Sequence, residues 1–159
     1  MFKVGIITSS DKGSKGERKD LSGKIIYDMV TAKGYEVVRQ VILPDEEKEL
    51  IKEMIYMADE LKVDLILTTG GTGFSKRDIT PEASTKVFTR IANGIAEAIR
   101  YNSLSITPRA MLSRAVSGIR NDTLIVNMPG SPKAVKESLE YALDSIHHGL
   151  EILRSEEHT

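Results

Sequence analysis

Residues 65–82, LILTTGGTGFSKRDITPE, limit what this chain can fold into more than any other stretch. An apolar run ends in Thr68 and Thr69. Gly70, Gly71 and Gly73 follow within four positions, then Lys76, Arg77 and Asp78. Thr80-Pro81 then reads as a helix start, with Thr80 as cap and Pro81 at the first position, where a missing N–H costs nothing. A buried strand that empties into a glycine loop and then a helix is how α/β proteins build phosphate sites. The loop lacks the terminal Gly-Lys-Ser/Thr of a P-loop and the third glycine of the dinucleotide fingerprint. Taken alone it is also compatible with a tight βα turn, although three glycines in four residues exceed what a turn needs.

The rest of the chain alternates in the same way. Residues 2–8 read as a buried strand, 9–20 as a polar loop, and the stretch from a cap at Asp20 or Ser22 to Lys33 as a helix. Residues 35–43 form a second strand that Pro44 stops. Asp45 stands where the next helix needs its N-cap, and an apolar stripe runs from Leu50 to Leu61. Residues 63–67 are the third strand. After Pro81 a helical pattern continues through Ile91 and Ala92, breaks at Gly94, and resumes briefly to Ile99. Residues 102–110 read as a loop, and 111–120 and 123–127 as strands joined by a turn at Asn121-Asp122. Pro129-Gly130 forms a second tight loop. Ser131 caps the last helix, and Pro132 opens it.

Strands alternating with helices imply right-handed βαβ units. The expected fold is α/β, a three-layer, mostly parallel sheet with helices on both faces and one short antiparallel hairpin. A single domain over 1–154 and a flexible polar tail at 155–159 are expected. In such sheets ligands sit beyond the carboxyl ends of the strands. That rule gathers Ser9, Asp11, Pro44, Asp45, the segment from Gly70 to Asp78, and the segment from Pro129 to Lys133 into one cleft.

Charge and composition exclude several functions. The net charge of −1 provides no field for nucleic acid or an anionic membrane. The chain has no cysteine, so it has neither disulfides nor thiolate metal ligands, which suits the cytoplasm. No apolar run approaches the ~20 residues of a membrane span, and no signal peptide is apparent. Within the cleft, Asp45 and Asp78 are the chemically pointed residues. Carboxylates beside bound phosphates are unfavourable unless a cation intervenes, which suggests oxygen-ligated Mg²⁺. Each of the two, alone, is equally what a helix cap requires. Lys76, Arg77 and Lys133 can neutralise an anion or simply be solvated. Ser103, Ser113 and Arg114 are unremarkable by pattern, and His147 and His148 read as surface residues.

Three strings carry a family resemblance: TTGGTGFSKRDITPEA (68–83), MLSRAVSGIR (111–120) and VNMPGSPKAV (126–135). The chain resembles the molybdopterin adenylyltransferases and the related MogA/MoaB-type proteins of molybdenum cofactor biosynthesis, and the G domain of gephyrin. The likeness runs from the first strand to the last helix. It implies an enzyme that takes Mg²⁺-ATP and molybdopterin, transfers AMP to the pterin's terminal phosphate and releases pyrophosphate. It implies Asp45 and Asp78 as catalytic, metal-associated acids. Gly70, Gly71, Thr72, Gly73, Pro129, Gly130 and Ser131 would line the nucleotide and pterin cleft, with Ser103 and Ser113 on the pterin side. The product would pass to a MoeA-like metal-insertion protein, and the assembly would be a homotrimer. Asp20 to Gly23 matches a family segment, but no catalytic role is carried over to the loop before it. The competing expectation is a non-catalytic molybdopterin-binding or scaffold protein of the same fold.

Overall fold

The computed structural model describes residues 1–155. Six strands form one sheet in the order β2-β1-β3-β6-β5-β4. The strands are β1 (Lys3–Ser9), β2 (Glu36–Leu43), β3 (Leu65–Thr69), β4 (Arg90–Ile91), β5 (Ser117–Arg120) and β6 (Thr123–Met128). β2, β1, β3 and β6 are parallel. β5 runs antiparallel to β6, and β4 antiparallel to β5. The hairpin expected at Asn121-Asp122 is therefore present, with Asn121 at φ 53°.

The inner strands alternate their side chains between two cores, as a pleat requires. Leu65, Leu67, Leu124 and Val126 face one way, into the helices α2 (Leu21–Ala32) and α6 (Pro132–Arg154). Ile7, Ile66 and Ile125 face the other way, into α3 (Glu47–Ile55) and α4 (Thr80–Val87). Because both faces are covered, these strands read in sequence as continuous apolar runs.

Several local expectations give way to tertiary contacts. The first loop contains a single helical turn, α1 (Asp11–Ser14), capped by the Ser10 side chain. Asp45 does not cap α3. The cap position falls on Glu46, whose side chain makes no capping bond, and Asp45 is turned toward the first loop instead. Thr80 is the first residue of α4 rather than its cap, and its hydroxyl donates to the Gly70 carbonyl at 3.0 Å. α3 ends in a π turn (Tyr56–Glu60) that seats Met57 and Ala58 in the core. Arg90–Ile91 is strand, not helix, because Thr89 and Ala92 donate their N–H groups to the β5 carbonyls of Ile119 and Ser117. α5 (Gly94–Leu104) starts at the expected break and runs past Ile99 into the expected loop, and Pro108–Leu112 is a 3₁₀ turn where the pattern predicts loop and strand. His147 is half-buried rather than a plain surface residue. It stacks on Tyr35, whose hydroxyl lies 2.7 Å from its Nδ1.

Of the expected tail, Ser155 still donates its N–H to Glu151 and Ile152, and residues 156–159 lie outside the described residues. No helix among the described residues is long and apolar enough to cross a membrane.

Candidate functional site

The chain leaves β1 for β2 on one side and later returns to place β3 on the other. The carboxyl ends of β1 and β3 therefore flank a switch point in strand order. Three loops meet there. The glycine loop after β3 packs on the first loop: Gly70 adopts φ 92°, and a Cβ at this position would lie 2.4 Å from the Ser9 carbonyl oxygen. Gly71, at φ 70°, lies under Thr80, where a Cβ would lie 2.3 Å from its hydroxyl oxygen. Neither position tolerates a side chain. The Pro129-Gly130 loop closes from the third direction. A Cβ on Gly130 would approach the Gly70 Cα to 3.4 Å. Thr69 Oγ1 donates to the Pro129 carbonyl at 2.6 Å, and Ser22 Oγ donates to that of Gly130 at 2.7 Å.

Beyond this junction lies a cavity of about 460 Å³, within the range of small-molecule sites. Thr8, Ser9, Asp20, Ser22, Thr69 and Gly130 line it, together with Arg18 and Lys19 from the first loop and the amino end of α6 at Ser131 and Pro132. Ser131 caps that helix as expected, accepting from the Ala134 N–H at 3.2 Å. Two cations and a helix amino terminus suit an anionic ligand. Asp20 is held by the Thr8 hydroxyl at 2.7 Å and the Gly23 N–H at 2.9 Å. Sequence reasoning brings Ser9 and Asp11 of the first loop into the cleft but carries over no catalytic role to it. Its length, and the family-like segment at its end, are the signals that point to it.

Neither candidate acid lines this cavity: Asp45 reaches it through Ser9, and Asp78 stays within the glycine loop. Ser9 connects the regions, because it lines the cavity and its hydroxyl donates to Asp45 Oδ1 at 2.5 Å. Asp45 and Asp11 also exchange backbone-to-carboxylate bonds at 2.9 and 3.1 Å. Arg77 grips Asp11 with two donors and Glu46 with one. The Arg77 guanidinium, and then the Asp45 N–H, hold the Asp11 carboxyl below the usual carboxylate range. The two carboxylates push Arg77 upward in turn. Asp78 accepts from the Ser75 N–H at 3.0 Å, and its Oδ2 lies 2.9 Å from where a Gly73 Cβ would stand. No direct hydrogen bond joins Asp45 to Asp78 among the described residues.

Arg114 is the residue that sequence reasoning passes over. Its side chain donates to the carbonyls of Gly73 and Asp78 at 2.7 and 2.6 Å and to Glu82 at 2.6 Å. Its own N–H donates to the Thr72 carbonyl at 2.8 Å. It splints the glycine loop from outside, and this pairing depresses the Glu82 carboxyl. Ser113, one residue earlier, is thereby close to that loop, and Arg100 donates to its carbonyl. Ser103 lies in the last turn of α5, its carbonyl engaged by Ile106 and Thr107. Among the described residues no hydrogen bond brings it to the loops.

Asp45 and Asp78 offer an all-oxygen donor set with no sulfur or imidazole, which fits a hard cation such as Mg²⁺ that keeps waters and takes further oxygens from phosphates. Among the described residues no group of three or more His, Cys, Asp or Glu is assembled to hold a metal by protein ligands alone.

A mostly parallel sheet with a glycine loop, a helix amino terminus and two carboxylates on the loops of its carboxyl edge defines an α/β protein with a site suited to anionic small molecules. The family model described as "Probable molybdopterin binding domain" matches residues 5–148. The chain belongs to this molybdopterin-binding family. It is 41% identical to the molybdopterin adenylyltransferase of Helicobacter pylori strain J99, covering 94% of this chain and 86% of that one. It is 36% identical to the molybdopterin adenylyltransferase of Escherichia coli K12, covering 94% and 80%. Among solved structures, the molybdopterin biosynthesis enzyme MoaB of Thermus thermophilus superimposes with a TM-score of 0.91 at 45% identity, covering 96% of each chain.

Proposed function

We propose that this protein is a molybdopterin adenylyltransferase of molybdenum cofactor biosynthesis. A terminal phosphate oxygen of molybdopterin attacks the α-phosphorus of ATP. The bond from that phosphorus to the oxygen bridging the β-phosphate breaks, and pyrophosphate leaves with the electron pair. A phosphate nucleophile is already ionised near neutral pH, so no base needs to remove a proton. The requirement is instead to hold two polyanions in line and cancel their repulsion. The observation that carries the reading is the meeting of three loops at one switch point, with Asp45 joined through Ser9 to an anion-suited cavity and Asp78 on the glycine loop.

Each part of the site has a role in this reading. The N–H groups of Gly70 to Gly73, and the amino end of α6 at Ser131, bind phosphate oxygens. Pro129 and Gly130 form the opposite wall, and Ser103 and Ser113 bound the pterin side. Asp45 and Asp78 would hold Mg²⁺, which supplies charge neutralisation at the phosphates. The product would pass to a MoeA-like metal-insertion protein in the cytoplasm. The assembly would be a homotrimer.

The test is to incubate the protein with Mg²⁺-ATP and molybdopterin and assay pyrophosphate together with adenylylated pterin. Asp45→Asn and Asp78→Asn are each expected to lower turnover by about 10²-fold or more while molybdopterin still binds. Wild-type turnover in either variant would refute the acid roles. Pterin binding with no product from the unaltered protein would favour the non-catalytic alternative.

A further inference from the structure

Arg77 and Asp78 are neighbours in the chain, but their side chains serve different loops. Asp78 stays with its own loop through the Ser75 N–H. Arg77 crosses to the first loop. Its Nε donates to Asp11 Oδ2 at 3.0 Å, its Nη2 to Asp11 Oδ1 at 2.9 Å, and Nη2 also to Glu46 Oε1 at 3.0 Å. Asp11 is in turn latched to Asp45 from both sides. The Asp45 N–H donates to Asp11 Oδ1 at 2.9 Å, and the Asp11 N–H donates to Asp45 Oδ2 at 3.1 Å. The path from Asp78 to Asp45 is thus one peptide bond, one two-donor ion pair and one reciprocal hydrogen-bond pair.

We infer that the Arg77–Asp11 pair is a strut that sets the spacing of Asp45 and Asp78, and that Arg77 is a positioning residue and not a ligand of substrate phosphate. The inference rests on the proposed role of those two acids. Its physical basis is the direction of the guanidinium. Nε and Nη2 are already committed to two carboxylates, so the two-donor fork that phosphate recognition uses is taken and only the Nη1 edge is left for an incoming phosphate. The fork also matters. Two parallel N–H···O bonds fix an angle as well as a distance, which a lysine ammonium does not. The Arg77 side chain is 53% exposed, and exposed ion pairs add little to folding stability. Geometry is a different matter, since a displacement of roughly 1 Å at a reacting centre costs about a hundredfold in rate. Removing the strut should therefore affect turnover far more than folding.

Four variants of the full chain test this: Arg77→Gln, Arg77→Lys, Asp11→Asn and the double Arg77→Gln/Asp11→Asn. For each, kcat, ATP affinity by calorimetry and the melting temperature are measured. Each single variant is expected to lose roughly ten- to a hundredfold in kcat with ATP affinity and melting near wild type. The double is expected to be no worse than the poorer single, because both substitutions break one strut. Arg77→Lys should recover only part of the loss. A tenfold weaker ATP affinity in Arg77→Gln, with normal kcat in Asp11→Asn, would make Arg77 a phosphate ligand and overturn the inference. Asp45→Asn and Asp78→Asn run beside them. If those are inactive while the strut variants turn over normally, only the strut fails. If those are active, the acid assignment fails, and the strut with it.

Discussion

At the scale of single residues, the glycine loop is held by what its residues lack. Gly70 has both a left-handed φ and the Ser9 carbonyl where a Cβ would stand. Gly70→Ala is expected to destabilise the fold by about 2 kcal/mol or more, read as a lower urea midpoint with unchanged slope. Gly34→Ala is the control. Gly34 also has a positive φ, but no atom lies within 4 Å of the added Cβ, so only the backbone cost of about 1 kcal/mol should appear. The glycines were legible in sequence because three in four positions is itself a pattern. Arg114 was not, because an arginine that serves two carbonyls and a carboxylate looks like any other arginine until the loop it braces folds against it. Asp45 was legible in position but not in bonding. Its location after Pro44 suggested a cap, and its carboxylate instead found Ser9 and Asp11, 36 and 34 residues away.

At the scale of elements, the amphipathic helices and the inner strands follow their periodicity. Two of the exceptions lie where a long-range bond competes with a local pattern. Val87, Phe88 and Ile91 have helical spacing, yet β5 needs a partner on its open side and takes Arg90–Ile91. The π turn after α3 is another such place. Asp59 within it receives two bonds from Arg120 of β5, at 3.0 and 2.8 Å, and Arg120 also donates to the last carbonyl of α4 at Val87. This one ion pair ties three elements together. Arg120 holds the Asp59 carboxyl below its ordinary 3.8. A depressed carboxyl stabilises the fold above its unfolded value, and the contribution fades as pH falls through the lower, folded value. Wild type should therefore exceed Asp59→Asn by about 1 kcal/mol near neutral pH, with the gap closing below pH 3.8. Urea unfolding of both proteins across the acid range measures it, and a gap that widened on acidification would contradict the pairing.

At the scale of the whole molecule, the four parallel strands and the shared carboxyl edge were legible, because alternating strands and helices leave few topologies. What becomes of the antiparallel edge was not, since an exposed surface carries no periodic signal. That edge ends in β4, and Ile91 on it is 71% exposed. Tyr101 on α5 is 77% exposed, and Met111, in the 3₁₀ turn that packs against α5, is 64% exposed. An apolar side chain on an open sheet edge is a liability that proteins usually cover or charge. Covering it with a neighbouring copy is consistent with the proposed trimer. Sedimentation at micromolar concentration should give three times the chain mass of 17.6 kDa. Tyr101→Glu combined with Met111→Glu should shift the protein to monomer, because a charge buried in an apolar contact has no partner there. Circular dichroism of the variant should keep its helical and strand signal, since neither side chain is in the core. A wild-type protein that sediments only as monomer would refute the assembly.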